Sequence, residues 1–182
     1  MVLAAGAGRR FGGGKLSALL DGEPLLHHAI RAARAAPVSR VVIVASSALS
    51  IGDWPGNPRV ERITVESDAL STSLKAGLAA AGHCDGAFIF LGDMPRVPHC
   101  IAGQLASALG ENYAAMPTHR GLAGHPVLLS ARSFVDISTI IGDRGAGQLL
   151  KGRDDVAWVD CDDPGVLLDV DTQQDIEQLK GA

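Results

Sequence analysis

Apolar and polar residues follow two different periods along this chain. Short apolar runs, often β-branched, predict strands, and stretches with an apolar residue at every third or fourth position predict helices. Predicted strands cover residues 1–5, 40–45, 60–65, 87–91, 113–116, 126–129, 156–159 and 166–170. Predicted helices run from Glu23-Pro24 to Pro37, over 70–81, 98–109 and 132–140, up to Lys151, and from Thr172 onward. Because the two kinds of element alternate, we predict an α/β fold: one three-layer domain over residues 1–182, with a mostly parallel sheet and helices on both faces.

A glycine-rich loop follows the first predicted strand. Its sequence is Gly6-Ala7-Gly8-Arg9-Arg10-Phe11-Gly12-Gly13-Gly14-Lys15. Glycines let backbone N–H groups converge on an anion, and Arg10 and Lys15 add full charges where phosphate oxygens would lie. Ligands of open α/β sheets bind at the carboxyl ends of the strands, which is where this loop stands. We therefore predict a phosphate-binding loop, with a solvated glycine-rich turn as the alternative.

The spacing of this loop differs from that of two well-known phosphate loops. The dinucleotide fingerprint requires a glycine where Phe11 stands and an acid after the second strand, where the chain has Ser46. The ATPase-type P-loop requires a glycine at Arg9 and a hydroxyl residue at Leu16. A Rossmann-type oxidoreductase is therefore a weak alternative.

Three aspartates lie at the ends of predicted strands. Asp93 comes after the most apolar strand, and Asp169 and Asp171 bracket Val170. On an extended chain the last two would point to one side, and a hard cation would relieve their repulsion. Mg²⁺ held by one or two carboxylates and nucleotide phosphates suits such a sparse site. Taken singly, each acid is better explained by helix capping than by metal binding, as in Asp171-Thr172.

Two other polar positions are candidates for ligand contacts. The hydroxyls of Ser71-Thr72-Ser73 lie at the start of the predicted helix 70–81, where we expect an N-cap, with a nucleoside contact as the alternative. His125 stands between Gly124 and Pro126, where it could contact a ligand or be an ordinary loop histidine.

Composition narrows the classes of partner. The chain has 182 residues, with 16 basic and 20 acidic side chains and a net charge of −4. This balance argues against a nucleic-acid binder and favours a small-molecule ligand. Three widely spaced cysteines argue against a disulfide framework or a zinc ribbon. No signal-peptide pattern and no apolar stretch of membrane-spanning length is evident, so we expect a cytoplasmic protein without a membrane partner.

Several ordered motifs resemble those of nucleotidyltransferases with the molybdenum cofactor nucleotidyltransferase fold. Residues 3–15 resemble the family's L-A-A/G-G-x-S/G-x-R-M-G-x-x-K opening, although Phe11 replaces the methionine. The other matching segments are Ser73-Leu74 with Gly77-Leu78, Leu91-Gly92-Asp93-Met94-Pro95, Gly124-His125-Pro126-Val127-Leu128, Gly142-Asp143-Arg144-Gly145-Ala146 and Asp169-Val170-Asp171-Thr172. Ala5, where the guanylyltransferase branch usually has glycine, makes the chain most similar to the cytidylyltransferases. Met94 departs from the glutamine that is frequent in that subgroup.

The resemblance implies a Rossmann-like domain of the nucleotide-diphospho-sugar transferase type that moves a cytidylyl group from CTP to a phosphate-bearing acceptor, foremost molybdopterin, and releases pyrophosphate. It implies catalytic roles for Arg10, Lys15 and Asp93, and Mg²⁺ or Mn²⁺ on Asp93, Asp169 and Asp171. The implied nucleotide contacts are Leu3, Ala4, Ala5, Gly6, Gly8, Gly12, Lys15 and Ser73, and the implied acceptor contacts are Gly124, His125, Pro126 and Asp143. Contact with a molybdoenzyme or its chaperone is a further implication.

Three alternatives to this function stay open at this point. The first is a nucleotidyltransferase of other specificity, acting from GTP on molybdopterin or from CTP or UTP on a sugar or polyol phosphate. The second is a protein that binds nucleotides without turning them over. The third is the oxidoreductase that the loop spacing already weakens.

Overall fold

The computed structural model describes residues 1–6, 8–66, 69–140, 142 and 146–180, with only the backbone of Arg9 and Gln148. Its strands are β1 (Val2–Ala4), β2 (Leu19–Leu20), β3 (Glu23–Pro24), β4 (Arg40–Ala45), β5 (Arg59–Thr64), β6 (Gly86–Leu91), β7 (Ala114–His119), β8 (Leu122–Ala123), β9 (Val127–Ser130) and β10 (Val156–Asp160). Its helices are α1 (Leu25–Ala35), α2 (Leu70–Ala81), α3 (Ile101–Leu109), α4 (Phe134–Thr139), α5 (Ala146–Leu150) and α6 (Gln173–Lys180).

The main sheet of the described residues has the order β5-β4-β1-β6-β9-β7-β10, and β8 extends it beside β7. The pairs β4–β5, β1–β4, β1–β6 and β7–β10 are parallel, whereas β9 runs antiparallel to β6 and β7. β1 is flanked by β4 and β6, so the loop that follows β1 emerges between the carboxyl ends of its two neighbours. This position is the usual ligand-binding edge of an α/β sheet.

Alternate residues of the central strands face opposite layers of helices, as the period of a strand requires. Val2, Ile43 and Phe90 pack with α1 and α3. Leu3, Val44 and Ile89 pack with α2, α4 and α5. The predicted mixed, mostly parallel α/β sheet with helices on both faces is therefore confirmed.

The predicted strand at 166–170 is wrong. Residues Pro164–Val166 form a 3₁₀ turn instead, because the Asp163 carboxylate accepts a hydrogen bond from the Gly165 N–H at 2.7 Å and proline favours the first helical position. The residues that follow make isolated backbone hydrogen bonds to other segments instead of a strand ladder. One of these bonds runs from the Val170 N–H to the Asp93 carbonyl oxygen at 2.9 Å. Val170 is buried with Leu20, Leu25, Ile176 and Leu179 in a small cluster under α6.

The pairings β2–β3 and β7–β8 were not predicted from the sequence, although it predicts a turn at 120–124. The β2–β3 hairpin includes Glu23-Pro24, which the pattern assigns to the start of a helix, and α1 begins one residue later. Strand β7 continues past the predicted end at 116 and turns into β8 at Arg120 and Gly121, both of which have positive φ. Two consecutive residues of this kind match a tight type I′ turn, but Arg-Gly is not a typical sequence for it.

No helix within the described ranges is long and apolar enough to cross a membrane. The cytoplasmic location stays a prediction.

Gly124 allows a close approach between two segments that flank the site. Its N–H donates to the Pro117 carbonyl oxygen at 2.8 Å, and a Cβ at this position would lie 2.5 Å from the Val166 carbonyl oxygen. We expect Gly124→Ala to lower the free energy of unfolding by roughly 1–3 kcal/mol, because backbone must move to accept the methyl group. Urea unfolding measures this change.

Gly103→Ala is the matched control for this substitution. Gly103 lies inside α3, and a Cβ there would have nothing within 4 Å. Alanine is the better helix former, so this variant is expected to gain about 0.5–1 kcal/mol. Equal stability of Gly124→Ala and the wild type would contradict the packing argument.

Candidate functional site

The glycine loop after β1 folds back on itself. The N–H groups of Phe11 and Gly13 donate to the Gly8 carbonyl oxygen at 3.0 and 3.4 Å. Gly8 and the run from Gly12 to Gly14 have positive φ, a conformation that glycine adopts without strain. The loop is therefore a compact glycine turn at the sheet edge, the kind of backbone from which anion-binding loops are built.

Lys15 is held at the centre of this edge. It begins a short 3₁₀ helix (Lys15–Ser17), and only 12% of its side chain is exposed. Its Nζ donates to Asp93 Oδ2 at 2.6 Å and lies 3.5 Å from Asp171 Oδ1. The structure thus brings together one predicted cation and two predicted carboxylates from three distant parts of the chain.

Asp171 also contacts the second cation of the loop. Arg10 Nη1 donates to Asp171 Oδ2 at 2.7 Å, although the Arg10 side chain is 80% exposed. The predicted alternative, that Asp171 caps α6, is not what the structure shows. The Asp175 carboxylate accepts from the backbone N–H groups of Asp171 and Thr172, and these bonds lower the pKa of Asp175. The Asp171 side chain is therefore available to the two cations.

Asp93 is positioned by backbone bonds on both sides. The Gly92 N–H donates to the Leu3 carbonyl oxygen at 2.9 Å, which ties the end of β6 to β1. The Asp93 carbonyl oxygen accepts from Val170, which ties the same turn to the segment that carries Asp171. The carboxylates are therefore fixed by the main chain as well as by Lys15.

Asp169 lies apart from the Lys15 contacts, exposed to solvent. Burial lowers the pKa of His125, and the Ile89 carbonyl group and the charges of Asp93 and Asp169 oppose this shift. Within the described ranges, no group of three or more histidine, cysteine, aspartate or glutamate residues could hold a metal ion. The proposed role of Asp169 as a metal ligand stays a prediction.

Two adjoining cavities open at this edge of the sheet, and one of them lies beside Lys15 and Asp93. The first, called here the loop cavity, measures about 270 Å³. It is lined by Leu3, Ala4, Ala5, Gly6, Gly8, Lys15, Leu16, Leu70, Ser73, Leu91 and Asp93. Most of the predicted nucleotide contacts are therefore in one cavity; Gly12 is the exception.

Ser73 reaches this cavity from inside α2. The expected N-cap at Ser71-Thr72-Ser73 is wrong, because the helix starts at Leu70 and Ala69 occupies the N-cap position. Ser73 is 4% exposed and lies in the first turn of the helix. The hydroxyl-rich pattern cannot distinguish a cap from a ligand contact, because both occur at the start of a helix.

The second cavity, called here the apolar cavity, measures about 230 Å³. It is lined by Leu3, Leu70, Leu74, Ile89, Leu91, Met116, His125, Val127, Ala146 and Gly147. It shares Leu3, Leu70 and Leu91 with the loop cavity, so the two spaces are neighbours. His125 Nδ1 is buried there without a hydrogen-bond partner among the described residues.

The other predicted acceptor contacts are distributed differently. Gly124 and Pro126 are buried in the backbone framework that presents His125, and the peptide bond before Pro126 is cis. Asp143 lies outside the described residues. Of the predicted acceptor contacts, His125 alone lines the apolar cavity in the described part of the chain.

Sequence reasoning missed one wall of the site. On the other side of the glycine loop, a further space of about 270 Å³ is lined partly by Ser17, Ser46, Ala48 and Leu49. Ser46 follows β4 directly, at the same sheet edge as the loop. Its position at a strand end is the signal in the sequence that indicates this wall, because ligands of α/β sheets bind at the carboxyl ends of the strands.

The fold and the site define an α/β protein with a glycine loop, a lysine and two carboxylates at the carboxyl ends of its strands, the edge at which such sheets bind ligands. The chain belongs to a family described as the MobA-like NTP transferase domain, whose model matches residues 1–159. It is an NTP-dependent nucleotidyltransferase. The resemblance inferred from the motifs is thus confirmed, whereas the extent of the domain over residues 1–182 stays a prediction.

Two relatives that match this chain over nearly its whole length are named for different functions. The purine catabolism protein PucB of Bacillus subtilis is 26% identical, and the match covers 100% of this chain and 95% of PucB. The molybdenum cofactor cytidylyltransferase of Escherichia coli is 27% identical over 99% of this chain and 94% of that protein. Among solved structures, Rv0371c of Mycobacterium tuberculosis H37Rv is 26% identical, covers 100% and 95% of the two chains, and has a TM-score of 0.84.

Proposed function

We propose that this enzyme transfers a cytidylyl group from CTP to a phosphate-bearing acceptor of the molybdopterin type and releases pyrophosphate. The observation that carries the proposal is the contact of Lys15 with both Asp93 and Asp171 beside the glycine loop. Similarity to the Escherichia coli cytidylyltransferase supports the choice of nucleotide and acceptor.

The reaction needs positioning and charge neutralisation more than proton transfer. An oxygen of the acceptor phosphate, already ionised near neutral pH, attacks the α-phosphorus of CTP. A new P–O bond forms while the bond to the β-phosphate breaks, and pyrophosphate leaves with those electrons. In the proposal the loop N–H groups hold the triphosphate, and Lys15 stabilises the α-phosphoryl group as charge develops. Arg10, the exposed cation of the loop, offsets the charge of the leaving pyrophosphate.

The carboxylates fit a divalent metal with a nucleotide. Asp93 and Asp171 both contact Lys15 Nζ, so their oxygens face one common point. Mg²⁺ is bound in proteins by one or two carboxylates together with substrate phosphates and water, and Mn²⁺ accepts similar oxygen ligands. When bound, the metal would neutralise phosphate charge during transfer. We propose Asp93 and Asp171 as its ligands, with Asp169 as a nearby carboxylate.

Ala5 supports a preference for a pyrimidine base. It is 8% exposed and lines both the loop cavity and the space beside Ser46. Its methyl group takes up room that glycine would leave open. We propose that this methyl group narrows the base pocket toward cytosine.

The test is pyrophosphate release from CTP, GTP, ATP and UTP in turn, with molybdopterin or with a polyol phosphate as acceptor. We expect the highest kcat/KM with CTP and molybdopterin, and a relative gain for GTP in the Ala5→Gly variant. Pyrophosphate release with a polyol phosphate but not with molybdopterin would show that the acceptor is a polyol phosphate instead. No release from any nucleotide, despite nucleotide binding, would favour a protein that binds without turnover.

A further inference from the structure

A row of side chains crosses four strands on the α2 face of the sheet. Ile89 of β6 pairs with Val127 of β9. The β7–β9 register continues one step from Ala115–Leu128 to place Met116 beside Val127. Met116 in turn pairs with Trp158 of β10. Paired residues of neighbouring strands lie on the same face, so the row reads Ile89, Val127, Met116, Trp158.

The first three members of this row are walls of the apolar cavity, and Trp158 is the next residue beyond them. Contacts along β10 support this orientation, because Val156 packs with the α2 face whereas Ala157 and Val159 pack with the opposite one. The Thr118 hydroxyl donates to Asp160 Oδ1 at 2.7 Å, so paired side chains of β7 and β10 do meet. Trp158 therefore lies next to the cavity wall at Met116, on the same face of the sheet and nearer the sheet edge.

Trp158 is exposed to an unusual degree for its size. It is 51% exposed, whereas Met116 beside it is 6% exposed. Exposed aromatic surface next to a concave apolar site is typical of binding surfaces, and an indole presents a flat face on which conjugated rings stack. An open polyol chain offers no comparable flat face.

We infer that Trp158 is the outer platform of the acceptor site, on which a flat, conjugated ring of the acceptor stacks. The inference rests on the proposed transfer to a molybdopterin-type acceptor and names the group that binds its ring. It assigns the apolar cavity to the ring-bearing part of the acceptor and the neighbouring Lys15 region to its phosphate.

Distances across the sheet agree with this assignment. Three strand spacings separate β6, which leads to Asp93, from β10, or roughly 14 Å along the sheet. A fused ring with a phosphate-bearing side chain has this reach, because the indole itself covers part of the gap. The buried, unpartnered His125 Nδ1 in the cavity wall provides a hydrogen-bonding position for a polar ring atom.

The experiment compares Trp158→Ala and Trp158→Phe with the wild type. Binding of 6-(hydroxymethyl)pterin is measured by calorimetry, and KM values are measured for molybdopterin and for CTP. We expect Trp158→Ala to weaken pterin binding and raise the molybdopterin KM by roughly 10- to 100-fold, with an unchanged CTP KM. Trp158→Phe should keep most of the affinity, because it retains an aromatic ring.

Trp54→Phe is the matched control. Trp54 is the other tryptophan of the chain and packs against His27 and Arg34 on α1. We expect its replacement to leave pterin affinity unchanged. Circular dichroism establishes that each variant is folded.

Three results would overturn the inference. Equal pterin and molybdopterin constants in Trp158→Ala and the wild type would do so while leaving the proposed function intact. A sedimentation coefficient that changes in Trp158→Ala without any change in acceptor constants would assign the residue to a contact between copies of the chain. Turnover of the wild type with a polyol phosphate alone, and no pterin binding, would refute both the proposed acceptor and the stacking role.

Discussion

Replacing Lys15 with alanine is expected to lower kcat for nucleotidyl transfer roughly 10²-fold or more. The Lys15 side chain is 12% exposed, and its ammonium group is held by Asp93 at 2.6 Å. A charge that is positioned before the reaction needs little reorganisation as the transition state forms. Removing it is therefore expected to lower kcat more than it changes KM. Initial rates of pyrophosphate release at saturating nucleotide measure the effect.

The matched control is Lys180→Ala. Lys180 forms an ion pair with Glu177 at 2.8 Å at the surface of α6, remote in sequence from the loop. Surface pairs of this kind contribute little, so we expect wild-type turnover from this variant. Near-normal kcat in a folded Lys15→Ala protein would contradict the proposed role. An equal loss in both lysine variants would indicate a general charge effect.

Replacing Asp93 with asparagine is expected to lower kcat by a similar factor and to weaken the binding of Mn²⁺ in the presence of CTP. Asparagine preserves the shape of the side chain but removes the negative charge that faces Lys15. The backbone bonds of Gly92 to Leu3 and of Val170 to Asp93 do not involve the carboxylate, so the turn should keep its position. Calorimetry with Mn²⁺ and steady-state kinetics measure the two effects.

Asp169→Asn serves as the comparison for Asp93→Asn. Asp169 is exposed, and the ion pairs of Lys15 run to Asp93 and Asp171 instead. We expect the factor by which kcat falls in the Asp169 variant to be less than about one tenth of the factor in the Asp93 variant. Equal losses of activity and of Mn²⁺ affinity in the two variants would show that the three acids act as one metal site, contrary to this ranking.

Much of the fold could be predicted from local patterns. The helix at Leu70–Ala81 and the strand at Arg40–Ala45 have the predicted bounds, because burial on one face of a helix or inside a sheet imposes a visible period. The segment at 166–170 could not be predicted in this way. Its apolar residues contact different neighbours, and the side-chain bond of Asp163 favours a turn over a strand.

The components of the site were visible in the sequence, but their contacts were not. Glycine spacing indicated the loop, and its basic residues indicated a phosphate ligand. The Lys15–Asp93 and Lys15–Asp171 contacts join residues 78 and 156 positions apart. Likewise, the pattern of Met116 and Trp158 predicts strands at both places without indicating that these strands are neighbours.

By itself, the sequence determined the α/β class, the glycine loop after the first strand and the family motifs, since each depends on residues close together in the chain. Only the tertiary structure decided that Lys15 lies between Asp93 and Asp171, that Ser73 faces a cavity rather than caps a helix, and that Trp158 lies beside Met116 of the apolar cavity. Strand order and register set these contacts, and both result from packing between distant segments that no local pattern encodes.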